Sequence, residues 1–207
     1  MIVDKLKGLF NINKKIFVFL LGVVIIGVLF GSILPIFLSV DDKKLVSDYL
    51  LNFSNSLKDG FDYFAFFKNG LFGNGLFLVL IWLLGVSIIG VPIILFLFFY
   101  KCFVFGFSIS SIIINYGFKG ILFSLSYIFP HQVINILIFS VLSSYSLIFS
   151  IKLLFYIFKK IDFNIRDSFR KYFKMFLVCF SALLISILYE SFINPHILSF
   201  IFNLLGI

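Results

Sequence analysis

The sequence predicts an all-α integral membrane protein: a polytopic bundle of about five transmembrane helices, with a short external amphipathic helix and a re-entrant or interfacial half-helix. Three observations carry that prediction. Hydrophobic residues make up 62% of the 207 residues and charged residues 13%, too little polar surface to wet a globular domain of this length, so a soluble monomer is excluded. Apolar runs of about 20 residues or more recur, the length a helix needs to cross roughly 30 Å of hydrocarbon. The formal charge of +8 gathers at the ends and in connecting segments, which fits orientation against an anionic inner leaflet and not nucleic-acid binding. The 33 phenylalanines exceed what packing requires and suggest an AT-rich coding sequence. One membrane domain, residues 1–207, is the natural count.

The first span is read over residues 16–40. Lys5, Lys7, Lys14 and Lys15 precede it as in a signal peptide, but no small-residue cleavage site follows, so it reads as a retained signal anchor. Gly27 and Gly31 lie one turn apart on one face and suit close helix packing, and Pro35 should kink the far end. Residues 41–70 form an external segment. Within it Leu45, Tyr49, Phe53 and Leu57 recur every four residues, the pattern of an amphipathic surface helix over 44–57. Tyr49, Phe53 and Leu57 are candidate partner-binding residues on its apolar stripe, and the aromatics from Phe61 to Phe67 suit the headgroup level.

Residues 71–116 hold one charge, Lys101, and suffice for two spans. A turn at Gly90-Val91-Pro92, giving spans 71–90 and 92–116, is preferred; the alternative is one long helix kinked at Pro92 with a corner at Tyr100-Lys101. Gly85, Gly90 and Pro92 are read as packing and turn positions. After a corner at Gly117-Phe118-Lys119-Gly120, residues 121–129 are too few to cross and read as the half-helix, ending at Pro130-His131-Gln132. Spans four and five follow at 133–158 and 175–193, the last closed by Asn194-Pro195.

Four Lys against Asp4 in the first 15 residues, and six Lys/Arg against Asp162 and Asp167 over 159–174, belong in the cytoplasm. The 41–70 segment and the tail then lie outside, as an odd number of crossings requires. Cys102 and Cys179 sit in apolar runs and read as small hydrophobes.

No catalytic constellation, cofactor motif or metal-ligand spacing is present, so no catalytic, cofactor-binding or metal residue is assigned and the expectation is a non-enzyme. Charges within spans are costly, at about 2.5 to 3.5 kcal/mol near the bilayer centre, which singles out polar positions. Lys101 either snorkels or bonds a helix end, or serves a site within the bundle. Glu190, the only glutamate, and His131 with Gln132 are the other intramembrane or interfacial candidates. On the predicted topology Glu190 and His131 share the outer side and could form one polar cluster at the hydrocarbon edge.

The run Ile81-Trp82-Leu83-Leu84-Gly85-Val86-Ser87-Ile88-Ile89-Gly90-Val91-Pro92-Ile93-Ile94-Leu95, continuing to Lys101, Gly106 and Phe107, resembles the core signature of the stage II sporulation protein M family. Phe129-Pro130-His131-Gln132 and Glu190-Ser191-Phe192-Ile193-Asn194-Pro195 resemble its Pro-polar and Glu-x-aromatic-x-x-Pro motifs, and Asp48 to Phe53 falls in a similar external segment. The resemblance covers residues 15 to 198. Cys102 stands where the family's glycine is expected, which bears on backbone packing beside Lys101.

The resemblance implies a multi-pass protein of the bacterial cytoplasmic membrane, at the sporulation septum and mother-cell engulfing membrane. It would be a non-enzymatic scaffold for the peptidoglycan-degrading stage II sporulation proteins D and P. From the residues alone, Lys101, the broken segment at Pro130 and the glycine-rich helices also admit a permease or channel-like subunit. Beyond the lipid bilayer and those partners, oligomeric state is open, a homo-oligomer included.

Overall fold

A computed structural model describes residues 14–58, 62–87, 89–159 and 164–197. Among these there is no strand, and five helical segments are long and apolar enough to cross a membrane: Lys15–Phe37, Tyr63–Gly85, Gly90–Ser126, Phe129–Phe158 and Ile165–Ile197. The helices are α1 (Lys14–Ile33), α2 (Val40–Lys58), α3 (Tyr63–Gly70), α4 (Leu76–Gly85), α5 (Gly90–Phe123), α6 (Phe129–Lys159) and α7 (Ile165–Leu188).

α1 gives way to a 3₁₀ turn, Leu34–Phe37, with Pro35 at its start and buried. Ser39 then opens α2, its hydroxyl accepting from the Asp42 amide at 3.2 Å and donating to the Asp42 carboxylate at 2.6 Å. The first turns of α2 sit on the end of the third span, where Lys43 and Val46 line a crevice with Pro35, Ser111 and Asn115. Tyr49, Phe53 and Leu57 lie on this helix, but their side chains fall outside the described part.

The second span begins at Tyr63, not Leu71, because a π turn at Leu71–Gly75 joins α3 to α4 without a break. Asp62 caps it, accepting from the Ala65 amide at 2.9 Å. The aromatics Tyr63 to Phe67 therefore belong to the spanning rod. Spans two and three divide between Gly85 and Gly90, which places Lys101 inside α5 and excludes a corner at Tyr100-Lys101. A Cβ at Gly90 would fall on the Leu84 carbonyl, so this turn needs glycine. Pro92 lies in the first turn of α5, where a missing N–H costs nothing.

α1 crosses α5 at very close range. A Cβ on Gly31 would strike the Phe103 carbonyl, and one on Gly106 the Val28 carbonyl. Cys102 does not loosen this crossing. Gly27 faces it, so close that a Cβ there would stand 2.7 Å from the Cys102 Cβ. The bare position has moved to the partner helix.

α5 breaks at Gly117, whose φ of 57° and ψ of −133° lie where side-chain-bearing residues rarely go. The chain doubles back there and brings Gly120 onto Ile112 and Ile113. Residues 121–129, expected as a separate half-helix, are instead the first turns of the fourth rod, which continues through a π turn at Ser124–Ile128 into α6. A second π turn, Tyr189–Ile193, carries α7 on to Ile197. Each of these two turns is followed, after one residue, by a proline, Pro130 and Pro195. A proline ring collides with the carbonyl four residues back, and the wider π turn relieves the collision. The helix bends to accept proline and does not end. Sequence-read span limits at these prolines therefore fall inside continuous helices.

Candidate functional site: a polar cluster inside the bundle

The fourth span presents His131, Asn135, Phe139, Ser143, Ser146 and Ser150 at three- or four-residue intervals, all buried. The fifth presents Tyr172, Met175, Cys179, Leu183, Ser186, Glu190 and Asn194 at matching intervals. Helical spacing puts each set on one face, and the two faces meet antiparallel. At one end of this seam the Ser146 and Tyr172 hydroxyls lie 2.8 Å apart and Tyr172 donates to the Trp82 carbonyl at 2.7 Å. Nearby, Ser150 donates to the Ser87 carbonyl at 2.7 Å. A Cβ on Gly85 would meet the Tyr172 hydroxyl and the Ser146 side chain, which explains a bare backbone there.

Toward the other end the same seam turns polar and ionisable. Ser186 donates to the Asn135 side-chain oxygen at 2.8 Å. His131 Nε2 stands 3.4 Å from Glu190 Oε1, and His131 Nδ1 stands 3.4 Å from Asn194 Nδ2. His131 is 13 residues past Phe118, about 20 Å along the rod, and its side chain is 3% exposed against 13% for Glu190. This pair lies within the bundle, and the π turn before Pro130 lets the helix start well ahead of it.

Lys101 enters from the third span. Its ammonium donates to Asn74 Oδ1 at 2.7 Å and lies 5.0 Å from the Phe77 ring centre and 5.4 Å from that of Phe139. The side chain turns inward and does not snorkel; cation–π contact and one charge-assisted hydrogen bond replace part of its hydration. Phe139 shares the fourth-span face with Asn135 and His131, one and two turns away, so Lys101 points into the same seam. Asn74, in the Leu71–Gly75 π turn, and Glu190, in Tyr189–Ile193, are both set by widened turns of the kind that recur at functional sites.

Of the positions singled out from the sequence, Lys101, His131 and Glu190 thus gather in one region, while Gln132 is half-buried and outside these contacts. Gly27 and Gly31 line the first crossing, and Gly85, Gly90 and Pro92 the second turn. Tyr49, Phe53 and Leu57 are on α2, with their side chains outside the described part. Asn74, Asn135 and Ser186 were not singled out from the sequence, although the interval from His131 to Ser150 carries a signal for part of the set. No group of three His, Cys, Asp or Glu able to hold a metal ion occurs among the described residues.

The arrangement can hold a charge and exchange a proton; it contains no nucleophile with an adjacent base. No match to the chain was found among curated proteins or among solved structures. The family model for stage II sporulation protein M, which is not a known enzyme family, matches residues 16–195. That match covers all five spans and nearly the whole chain, and so this multi-pass membrane protein belongs to the stage II sporulation protein M family.

Proposed function

We propose that the protein is a non-enzymatic membrane anchor of the engulfment machinery, positioning the peptidoglycan-degrading stage II sporulation proteins D and P at the septal and mother-cell engulfing membrane. The family match over residues 16–195 is the observation that carries this reading. It is supported by the seam between spans four and five, in one half of which Ser146, Tyr172 and Ser150 spend their hydrogen bonds on protein groups and not on a polar path. A scaffold needs no such path.

The docking surface in this reading is α2 with the start of the second span. α2 is joined to the bundle at its first turns, and an apolar stripe outside the bilayer must be covered by lipid or protein. Affinity purification from sporulating cells tests the proposal: both hydrolases should come with the protein. Charged residues in place of Tyr49 and Phe53 should reduce their recovery several-fold while membrane insertion is kept. Unchanged recovery would move docking elsewhere, and absence of both hydrolases from the wild-type preparation would remove the scaffold reading.

A permease-like subunit is the second reading, favoured by the ionisable cluster in the other half of the seam. Solute flux in proteoliposomes would replace the first reading by the second.

A further inference from the structure

From the geometry around His131 we infer a buried proton-binding site, built from His131, Glu190 and Asn194 with Lys101 as the neighbouring cation, that exchanges with the membrane face bearing α2. The ligand is a proton delivered by water. Neither the scaffold reading nor the recovery of any partner enters this argument.

The first support is the pair of groups on either side of the imidazole. Neutral His131 with its hydrogen on Nε2 donates toward Glu190 Oε1 and accepts from Asn194 Nδ2 through Nδ1. Adding a proton forms an N–H bond at Nδ1, and the ring becomes a donor on both sides. Glu190 still accepts at Nε2. Asn194 can serve the new donor by a half-turn of its amide, which presents Oδ1 in place of Nδ2. An amide, like a hydroxyl, can face either form of the ring, so both protonation states have a partner without movement of the backbone.

The second support is independent of the ring. Glu190 Oε2, Asn135 Nδ2 and Ser191 Oγ are buried beside the pair and have no protein hydrogen-bond partner. Asn135 and Ser191 are each 1% exposed. In hydrocarbon such groups cost several kcal/mol each, and water entering the site would satisfy them and bring protons to the pair. In the other half of the same seam Ser146, Tyr172 and Ser150 are paired with protein groups, and Ser143 Oγ alone of the serines on that face is not.

Charge balance limits the site to one added proton. Lys101 and an ionised Glu190 cancel, so the site with neutral His131 carries no net charge, and protonation raises it by one. The other ionisable groups around the pair are few among the described residues. Tyr189 adjoins Glu190, Tyr63 and His196 stack at 5.7 Å beyond it, and the first span contributes only lysines at its opposite end. Access is from the Tyr63 side. Glu190 is the more exposed member of the pair, and Phe192 and His196 beyond it pack on Tyr63, which follows α2 in the chain.

The chain has two histidines, so ¹⁵N-histidine NMR of the full-length protein in lipid nanodiscs resolves the site, with His196→Gln assigning the signals. Lowering the pH from about 8 to 5 should take His131 from one to two protonated ring nitrogens. Glu190→Gln should displace the midpoint by about one pH unit or more. A His131 signal that does not change over that range, or the same midpoint with and without Glu190, overturns the proposal. Should Glu190→Gln fail to fold, Lys101→Gln takes its place: a displaced midpoint supports the proposal and an unmoved one overturns it.

Discussion

The first and third spans meet backbone to backbone, whereas the fourth and fifth meet through polar side chains. Of the most apolar stretch of the first span 17% is buried, against 61% for the fourth, so one is mainly a lipid-facing rod and the other the centre of the bundle. The peripheral helix is held by Gly27, Gly31 and Gly106 letting carbonyls of the neighbouring helix come close. The central helix uses Ser146 on Tyr172, Asn135 on Ser186 and His131 on Glu190. Lipid tails are as apolar as the side chains, so burial of oily surface does not by itself join two helices in a membrane. Close dispersion contact and interhelical hydrogen bonds remain. The first crossing rests mainly on close contact, with Ser110 donating to the Ser32 carbonyl at 2.7 Å beside it, and the second rests mainly on hydrogen bonds, so they should fail differently.

The sharpest break is Gly31→Leu or Gly106→Leu. Either side chain enters a space held by a backbone carbonyl that cannot move away, and the loss should be at least about 3 kcal/mol. Unfolding in detergent, or loss of the monodisperse species, measures it. A loss under about 1 kcal/mol would show that glycine contact does not hold the first span.

In the polar region, Glu190→Leu removes the partner of a buried histidine and should cost about 2 to 4 kcal/mol. Glu190→Gln keeps a hydrogen-bonding group and should cost at least about 1 kcal/mol less. Equal losses would mean that the negative charge, and not hydrogen bonding, holds the pair.

Ser146→Ala and Tyr172→Phe should each cost about 1 kcal/mol, the range found for hydrogen bonds between membrane helices. The double variant should cost less than the sum, since both remove the same contact. Strict additivity would show that the two hydroxyls do not act on one another.

The smallest effect is a control on the first region. Gly22 has nothing within 4 Å of where a Cβ would be, so Gly22→Ala should change stability by less than about 0.5 kcal/mol. Comparing it with Gly31→Leu separates glycine as a packing requirement from glycine as composition.

The cluster was only partly legible. Lys101, His131 and Glu190 stood out because charge or an imidazole is rare in an apolar run. Asn74, Asn135 and Ser186 did not, since a neutral amide or hydroxyl is common at helix interfaces and becomes part of a site only when a partner is opposite. Prolines misled in a specific way. Pro130 and Pro195 read as helix ends because proline lacks an N–H, but the Ser124–Ile128 and Tyr189–Ile193 π turns absorb each one, and the spans continue.

By itself the sequence determined the five crossings, since each backbone polar group in hydrocarbon must be bonded within its own helix and only long apolar runs allow that. It also placed the turn before Pro92 and the short amphipathic helix after the first span. Tertiary structure alone decided that Lys101 points inward to Asn74 and two phenylalanine rings, that Gly27 takes the bare position opposite Cys102, and that His131 faces both Glu190 and Asn194. These are contacts between residues distant in the chain. Their pairing depends on helix rotation and antiparallel register, and the apolar periodicity of a membrane span, greasy on most faces, leaves both undetermined.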